Sequence, residues 1–186
     1  MADPVAEIRT AIEKTTPIVE GIDDSQWSKS TPCAEFDVRA LLNHMVGAAN
    51  MFRQVIEEGQ ASPDASTDYL GSDPKGAFRK ASGAALAAFE NGDVLNRTLN
   101  MPFGEFPGPA AAGIFRMEMF VHGVDLAVST GQKSLIDEGM CTAMQDAARD
   151  MGVDNFRVPG VFEAEVPAPA GAEPHRRMLA YLGRQV

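Results

Sequence analysis

Cysteine is nearly missing from this chain: there are two, Cys33 and Cys141, in 186 residues. Two thiols cannot build a disulfide framework, and no Cys-x-x-Cys pair is present to mark a redox motif or a zinc ribbon. Both read as reduced, packed thiols. Cys33, in a loop after Pro32, stays as a candidate reactive thiol, although no basic neighbour in sequence lowers its pKa. Positive charge is also short. Sixteen Lys and Arg stand against 26 Asp and Glu, a net charge of −10 with a pI near 4.7. No basic patch or run is visible, which argues against a nucleic acid or an anionic membrane as partner. No run of about 18 apolar residues is long enough to cross a bilayer. The opening MADPVAEIRT has acidic groups and no apolar core of a secretory signal, so the expected location is cytoplasmic. Tryptophan occurs once, as Trp27, and histidine three times, as His44, His122 and His175. With so few histidines, each can be weighed singly.

What is present is enough for a real core. Apolar residues make up 45% of the chain, near the globular norm. No internal repeat or low-complexity linker divides residues 1–186, which read as a single domain. Asp3-Pro4 is a cap followed by proline at the first helical position. Val5, Ile8, Ile12, Thr15 and Val19 then recur at helical spacing to about Glu20, with Pro17 expected to kink or shorten the last turn. Trp27 and Phe36 are expected to pack over the end of the bundle. Asp37 opens a second helix with a broad apolar arc from Val38 to Ile56, and Gly59 ends it. Asp73-Pro74 opens a third, burying Phe78, Ala81, Ala85 and Phe89, and Asn91-Gly92 stops it. The stretch Asp93–Pro109 is extended and turn-rich, and Met101, Phe103 and Phe106 are candidates to line the mouth of a pocket. A fourth helix runs from about Pro109 to Thr130, stopped by Gly131. Asp137 caps a fifth, with Met140, Met144, Ala147 and Met151 expected inward. Residues 153–170 read as an irregular extended segment that could carry a short edge strand. A short last helix follows, with His175 expected in solvent beside two arginines. The fold class is therefore mainly all-α: a four-helix bundle with short additional helices and a short C-terminal extended or strand segment.

The chemistry concentrates in Phe115–Gln132. Glu118, His122 and Asp125 fall at i, i+4 and i+7 and share one helix face, flanked by Ile114, Phe115 and Leu126. A carboxylate and an imidazole in an apolar stripe are costly unless paired. A divalent metal solves this, and so does a Glu–His hydrogen bond. On the second helix His44 lies at the edge of the apolar arc, toward the interior or its rim. Bundles build sites from side chains on facing helices. His44, Glu118 and His122 then form a His–Glu–His set that leaves an open metal position, the pattern of catalytic zinc, or alternatively a facial triad for iron.

The segment TPCAEFDVRALLNHMVG (31–47), with Glu-x3-His followed by GVDLAVSTGQ (123–132), resembles the DinB-like metal proteins of actinobacteria. It is most similar to relatives of the N-terminal domain of mycothiol-dependent maleylpyruvate isomerase. The ending VPAPAGAEPHRRMLAYLGR is similar to the tail of one branch of that group. The resemblance implies a DinB-type four-helix bundle with a divalent metal, usually zinc or nickel, on His44, Glu118 and His122. It also implies a low-molecular-weight thiol as cosubstrate in some relatives. Two positions depart from the pattern: Gly123 follows His122, and Val124 stands where many relatives carry tryptophan.

The leading functional expectation is a metal-dependent enzyme that uses a thiol such as mycothiol, as transferase or isomerase. Asp125 would then hydrogen-bond or orient one of the ligands, unless it faces solvent or pairs with an arginine. One alternative is a metal-dependent hydrolase with Asp125 or Glu105 as base. Another is a metal- or ligand-binding protein without catalysis. The expected partner is a small-molecule substrate or thiol, and the expected state a monomer or homodimer.

Overall fold

The computed structural model describes residues 3–64, 66–91, 93–157 and 163–185. Four long helices carry the architecture: α1 (Pro4–Glu20), α2 (Val38–Glu58), α3 (Pro74–Glu90) and α4 (Gly108–Thr130). Their starts are chemically marked. Asp3, Asp37 and Asp73 each accept a backbone N–H of the first turn through the side chain, which satisfies donors that a helix cannot pair internally. Gly59 and Gly131 end α2 and α4 in the left-handed conformation, at φ 81° and 79°, where a Cβ would be strained. Pro17 does not end α1 early; the helix runs through it to Glu20. The stop expected at Asn91-Gly92 is seen at Asn91, and Gly92 lies outside the described residues.

Cross-helix pairs give the directions. Arg9 pairs with Glu90 and Glu20 with Arg79, so α1 and α3 are antiparallel. Glu7 pairs with Arg116, and Ile18 accepts from Gln132, so α1 and α4 run parallel. His44 faces Glu118 while Phe52 meets Phe115, so α2 opposes α4. The bundle is therefore up-down-down-up. Parallel α2 and α3 need the long crossover through residues 59–73.

The innermost element is α4. Every residue from Met119 to Ala127 is buried, so this helix is enclosed all round, rather than on the single stripe that its spacing suggests. Gly123 makes the enclosure possible. A Cβ there would stand 2.8 Å from Thr15 Cγ2 and 3.1 Å from Thr15 Cβ. Without one, α1 closes down and the Thr15 hydroxyl donates to the Met119 carbonyl at 3.0 Å.

The turn-rich stretch before α4 contains an antiparallel hairpin, β1 (Thr98–Met101) and β2 (Gly104–Pro107), with Leu99 opposite Phe106. This is the only sheet among the described residues. Residues 163–169 are irregular, with Val166 N–H donating to the Ala180 carbonyl. The described part of 153–170 carries no strand, and residues 158–162 lie outside the described residues.

Two short helices complete the fold, α5 (Glu138–Asp150) and α6 (Pro174–Tyr181). Of the residues expected inward on α5, only Met144 is buried, and the buried face is rotated from the methionine row. Cys141, Met144, Gln145 and Ala148 are buried, whereas Met151 is 38% exposed and Met140 only partly covered. The inward face is set by where α6 docks, about one residue away from the methionine row.

Candidate metal centre

Halfway along the bundle, α2 and α4 present side chains to each other. His44 Nε2 stands 2.8 Å from Glu118 Oε1, and His122 Nε2 stands 3.6 Å from the same oxygen. The two imidazoles meet edge to face with centroids 5.2 Å apart. One donor atom from each of the three residues lies within 4.8 Å of the others. Bonds of about 2.1 Å to a tetrahedral ion separate its donors by roughly 3.4 Å, so these spacings suit a divalent metal. A second detail fits. Glu118 Oε1 is buried and has no hydrogen-bond partner, although His44 Nε2 is within hydrogen-bonding distance. Two imidazole nitrogens converging on one carboxylate oxygen is an arrangement that a shared ion would also take up.

The surroundings differ sharply on the two sides. Below Glu118, the rings of Phe52, Phe89 and Phe115 form a dry floor with centroids 5.0–6.1 Å apart. Toward the surface the His44 side chain is 41% exposed, while Glu118 and His122 keep 19% and 10%. An ion held here would be reachable from one side only. Burial pushes the Glu118 carboxyl up, but the adjacent His122 and His44 imidazoles and Arg184 outweigh it and bring the pKa to about 2. Burial works to lower the His44 pKa, and Glu118 more than offsets it, so the pKa is raised.

Asp125 is fully buried. Its Oδ2 is 3.1 Å from His122 Nδ1 and 3.5 Å from Arg184 Nη2. It is hydrogen-bonded to a ring of the His–Glu–His set and also faces an arginine. It does not face solvent.

The turn before α2 brings in two more groups. The Thr31 hydroxyl lies 2.9 Å from the Cys33 carbonyl and 2.8 Å from that of Phe36, and Phe36 N–H donates to Cys33. This knot lays the Phe36 ring on His44 at 5.2 Å. Phe36 thus packs against the site itself. It also brings Cys33 within 4.8 Å of donor atoms of His122 and Asp125. Burial raises the Cys33 pKa to about 11, against the pull of Arg184.

Arg184 was not singled out by the sequence. It sits beyond α6, and the only local signal is the preceding Gly183, whose φ of 89° puts the chain in a turn that favours glycine. Glu105 is exposed on β2, before the first turn of α4. Phe103 is 55% exposed and packs on Phe106 at the hairpin. Both precede α4, whose first ten residues put roughly 15 Å of helix between Gly108 and Glu118, so neither they nor Met101 line the ligand cluster. His175 corrects the sequence expectation of a solvated residue. It is 4% exposed, its backbone N–H donates to Glu138 Oε2 at 2.8 Å, and its Nδ1 meets Glu138 Oε1. The first turn of α6 docks on the start of α5, so position in sequence near a terminus did not mean exposure.

An up-down-down-up bundle whose facing helices converge a His–Glu–His set defines the class. Residues 8–127 match the family described as Mycothiol maleylpyruvate isomerase N-terminal domain, and the chain belongs to that family. Two uncharacterized proteins of Mycobacterium tuberculosis, from strains CDC 1551 / Oshkosh and ATCC 25618 / H37Rv, are each 29% identical to it over 188 residues. In each case the match covers 99% of this chain and 99% of the relative. Among solved structures, a histidine-to-alanine mutant of mycothiol-dependent maleylpyruvate isomerase superposes with a TM-score of 0.56 at 10% identity. That match covers 66% of this chain and 59% of the isomerase chain, and it supports the fold. No helix among the described residues is long and apolar enough to cross a membrane.

Proposed function

We propose that this protein is a metal-dependent enzyme acting with a low-molecular-weight thiol of the mycothiol type, as transferase or isomerase. His44, Glu118 and His122 are the ligands of a divalent ion, zinc first and nickel or iron as alternatives. The carrying observation is the convergence of these three donors around a buried, unpartnered carboxylate oxygen, with one side open at His44. A bound ion would supply a Lewis acid that takes a thiol in its deprotonated form.

The chain's own residues do the rest. Glu118 and the two imidazoles would hold such an ion, one turn of α4 beyond the Phe52–Phe89–Phe115 ring cluster. Asp125 fixes the His122 ring through Nδ1 and leaves Nε2 to the ion. Burial pushes the Cys33 thiol up to about 11 in the absence of an ion, and the attacking thiolate is assigned to a cosubstrate. The family, and the mycothiol dependence of the isomerase that shares this fold, support that choice. A hydrolase needs a free carboxylate beside the ion. Asp125 is engaged with His122 and Arg184, and Glu105 sits on the β2 strand before α4 begins, so the geometry favours the thiol reading. An entirely non-catalytic binder would be expected to close its coordination sphere, and the exposed edge at His44 leaves this one open. Two free cysteines suit a reducing, cytoplasmic setting.

The test is cobalt substitution. Sulfur ligation gives an intense charge-transfer band, expected on adding mycothiol or a close thiol analogue to wild type and to Cys33→Ser. It should be absent in Glu118→Ala and His122→Ala. Cobalt protein with no thiol-dependent spectrum at any pH, yet able to cleave a simple ester or amide, would replace this reading by the hydrolase.

A further inference from the structure

Asp125 is fully buried, and its Oδ1 has no hydrogen-bond partner. Arg184 is 8% exposed, and its Nε is likewise buried without a partner. The two side chains face each other, with Arg184 Nη2 3.5 Å from Asp125 Oδ2. A buried carboxylate is costly unless a counter-charge accompanies it. Here the counter-charge comes from residue 184, well outside the stretch 8–127 that matches the family.

The backbone explains how the arginine is delivered. Gly183 adopts φ 89°, and a Cβ on it would lie 2.6 Å from Glu163 Cβ and 2.9 Å from Glu163 backbone atoms. Only glycine turns the chain there. Arg184 N–H then donates to the Leu179 carbonyl at 2.9 Å, and its Nη1 donates to the Leu182 carbonyl at 3.0 Å. The guanidinium is thus pinned at one corner by the α6 turn and aimed at Asp125 by the other.

We propose that Arg184 is a positioning residue for the metal centre: it clamps the Asp125 carboxylate, which in turn fixes the His122 ring with Nδ1–H toward Asp125 and Nε2 toward the ion. The C-terminal turn after α6 is therefore a working part of the centre. Arginine suits the task because its planar fork gives Nη1 to the Leu182 carbonyl and Nη2 to Asp125 at once, whereas lysine is a single point charge. Groups that orient a ligand typically change metal affinity about 10–100-fold when removed.

This inference rests on the metal reading above, and its test separates the two. Zinc dissociation constants are measured by chelator competition for wild type, Arg184→Gln, Arg184→Lys, Asp125→Asn and the Arg184→Gln/Asp125→Asn double variant. Circular dichroism checks that each is folded. Arg184→Gln and Asp125→Asn should each weaken zinc about 10–100-fold, and Arg184→Lys should fall between wild type and Arg184→Gln. The double variant should bind no more weakly than Asp125→Asn alone, because Arg184 acts through Asp125. Wild-type affinity in folded Arg184→Gln, or losses that multiply in the double variant, would overturn the proposal. If Arg184→Gln fails to fold, the same cycle is read with Arg184→Lys. Nitrogen-15 shifts of the His122 ring in metal-free protein give a readout that needs no zinc. The Nδ1–H tautomer should dominate in wild type and be diluted in Arg184→Gln and Arg184→Lys; an unchanged tautomer ratio in both would also overturn it. A wild type that binds no zinc would defeat the proposed function, while the tautomer would still decide this point.

Discussion

His44 and His175 are both single histidines on helices, yet they do different work. His44 reaches across from α2 to the carboxylate of Glu118, at the half-open edge of the cluster. Replacing it with alanine removes one of three donors while opening little of the core. His44→Ala should therefore lose most bound metal, measured per chain on purified protein, at small cost to folding. Equal metal in His44→Ala and wild type would sink the ligand assignment. His175 instead ties α6 to α5 through Glu138. His175→Ala keeps the backbone bond but loses the ring's contact with the carboxylate, at a cost of about 1–2 kcal/mol. It should lower the melting temperature while metal per chain stays near wild type. The His–Glu–His set was legible because its members are ionisable groups in otherwise apolar helical stripes. Phe36 and Arg184 were not, because an aromatic ring in a loop and an arginine near a terminus look alike wherever they end up.

At the scale of elements, a charged contact ties α1 to the start of α5. Asp137 caps α5 by accepting from Met140 N–H at 3.0 Å, and Lys14 reaches it from α1 at 2.8 Å. The hydrogen bond from Lys14, then the cap N–H, hold the Asp137 pKa below its ordinary value. The sign follows directly. A depressed carboxylate contributes stability that is present above the unfolded pKa, about 3.9, and is lost as pH falls through the lower folded value. Asp137→Ala should cost about 1 kcal/mol at neutral pH, mostly as the lost cap, since the exposed ion pair adds little. Denaturation series at falling pH should show the gap to wild type closing below about pH 3.9; a gap that stays constant into acid would refute the cap-and-charge account. Helix starts were legible for the same reason that Asp137 matters. A side-chain acceptor before an apolar period is a local signal. The hairpin at 98–107 was less so, because its strands are only four residues each, and although TLNM alternates exposed and buried, GEFP does not. The inward face of α5 also escaped, since Met and Cys are equally apolar and only the docking of α6 chooses between them.

For the molecule as a whole, the question is whether the proposed ion would build the fold or only use it. The four long helices enclose one continuous apolar core that includes Ile8, Leu41, Phe52, Phe78, Phe89, Phe115 and Met119. A bundle of this kind does not need metal to collapse, unlike a small zinc module. Removing the ion nevertheless leaves Glu118 buried between two imidazoles. Ligand linkage gives about 2.7 kcal/mol at a hundredfold excess over the dissociation constant. In a chain of this size that corresponds to a melting-temperature drop of about 5–10 °C. Chelated protein should therefore unfold cooperatively at a lower temperature by calorimetry. Loss of the cooperative transition would mean that the metal is structural.

The sequence by itself determined the helices, their caps, the mainly all-α class and the residues able to act as ligands. Each of those is written in local periodicity or in the chemistry of a side chain within a few residues. Only the tertiary structure decided which groups meet. The up-down-down-up arrangement sets His44 opposite Glu118. Gly123 lets α1 close over α4, and the turn at Gly183 carries Arg184 to Asp125 across 59 positions of chain. A contact of that span leaves no periodic trace, because it depends on how whole helices pack and not on the spacing of residues along any one of them.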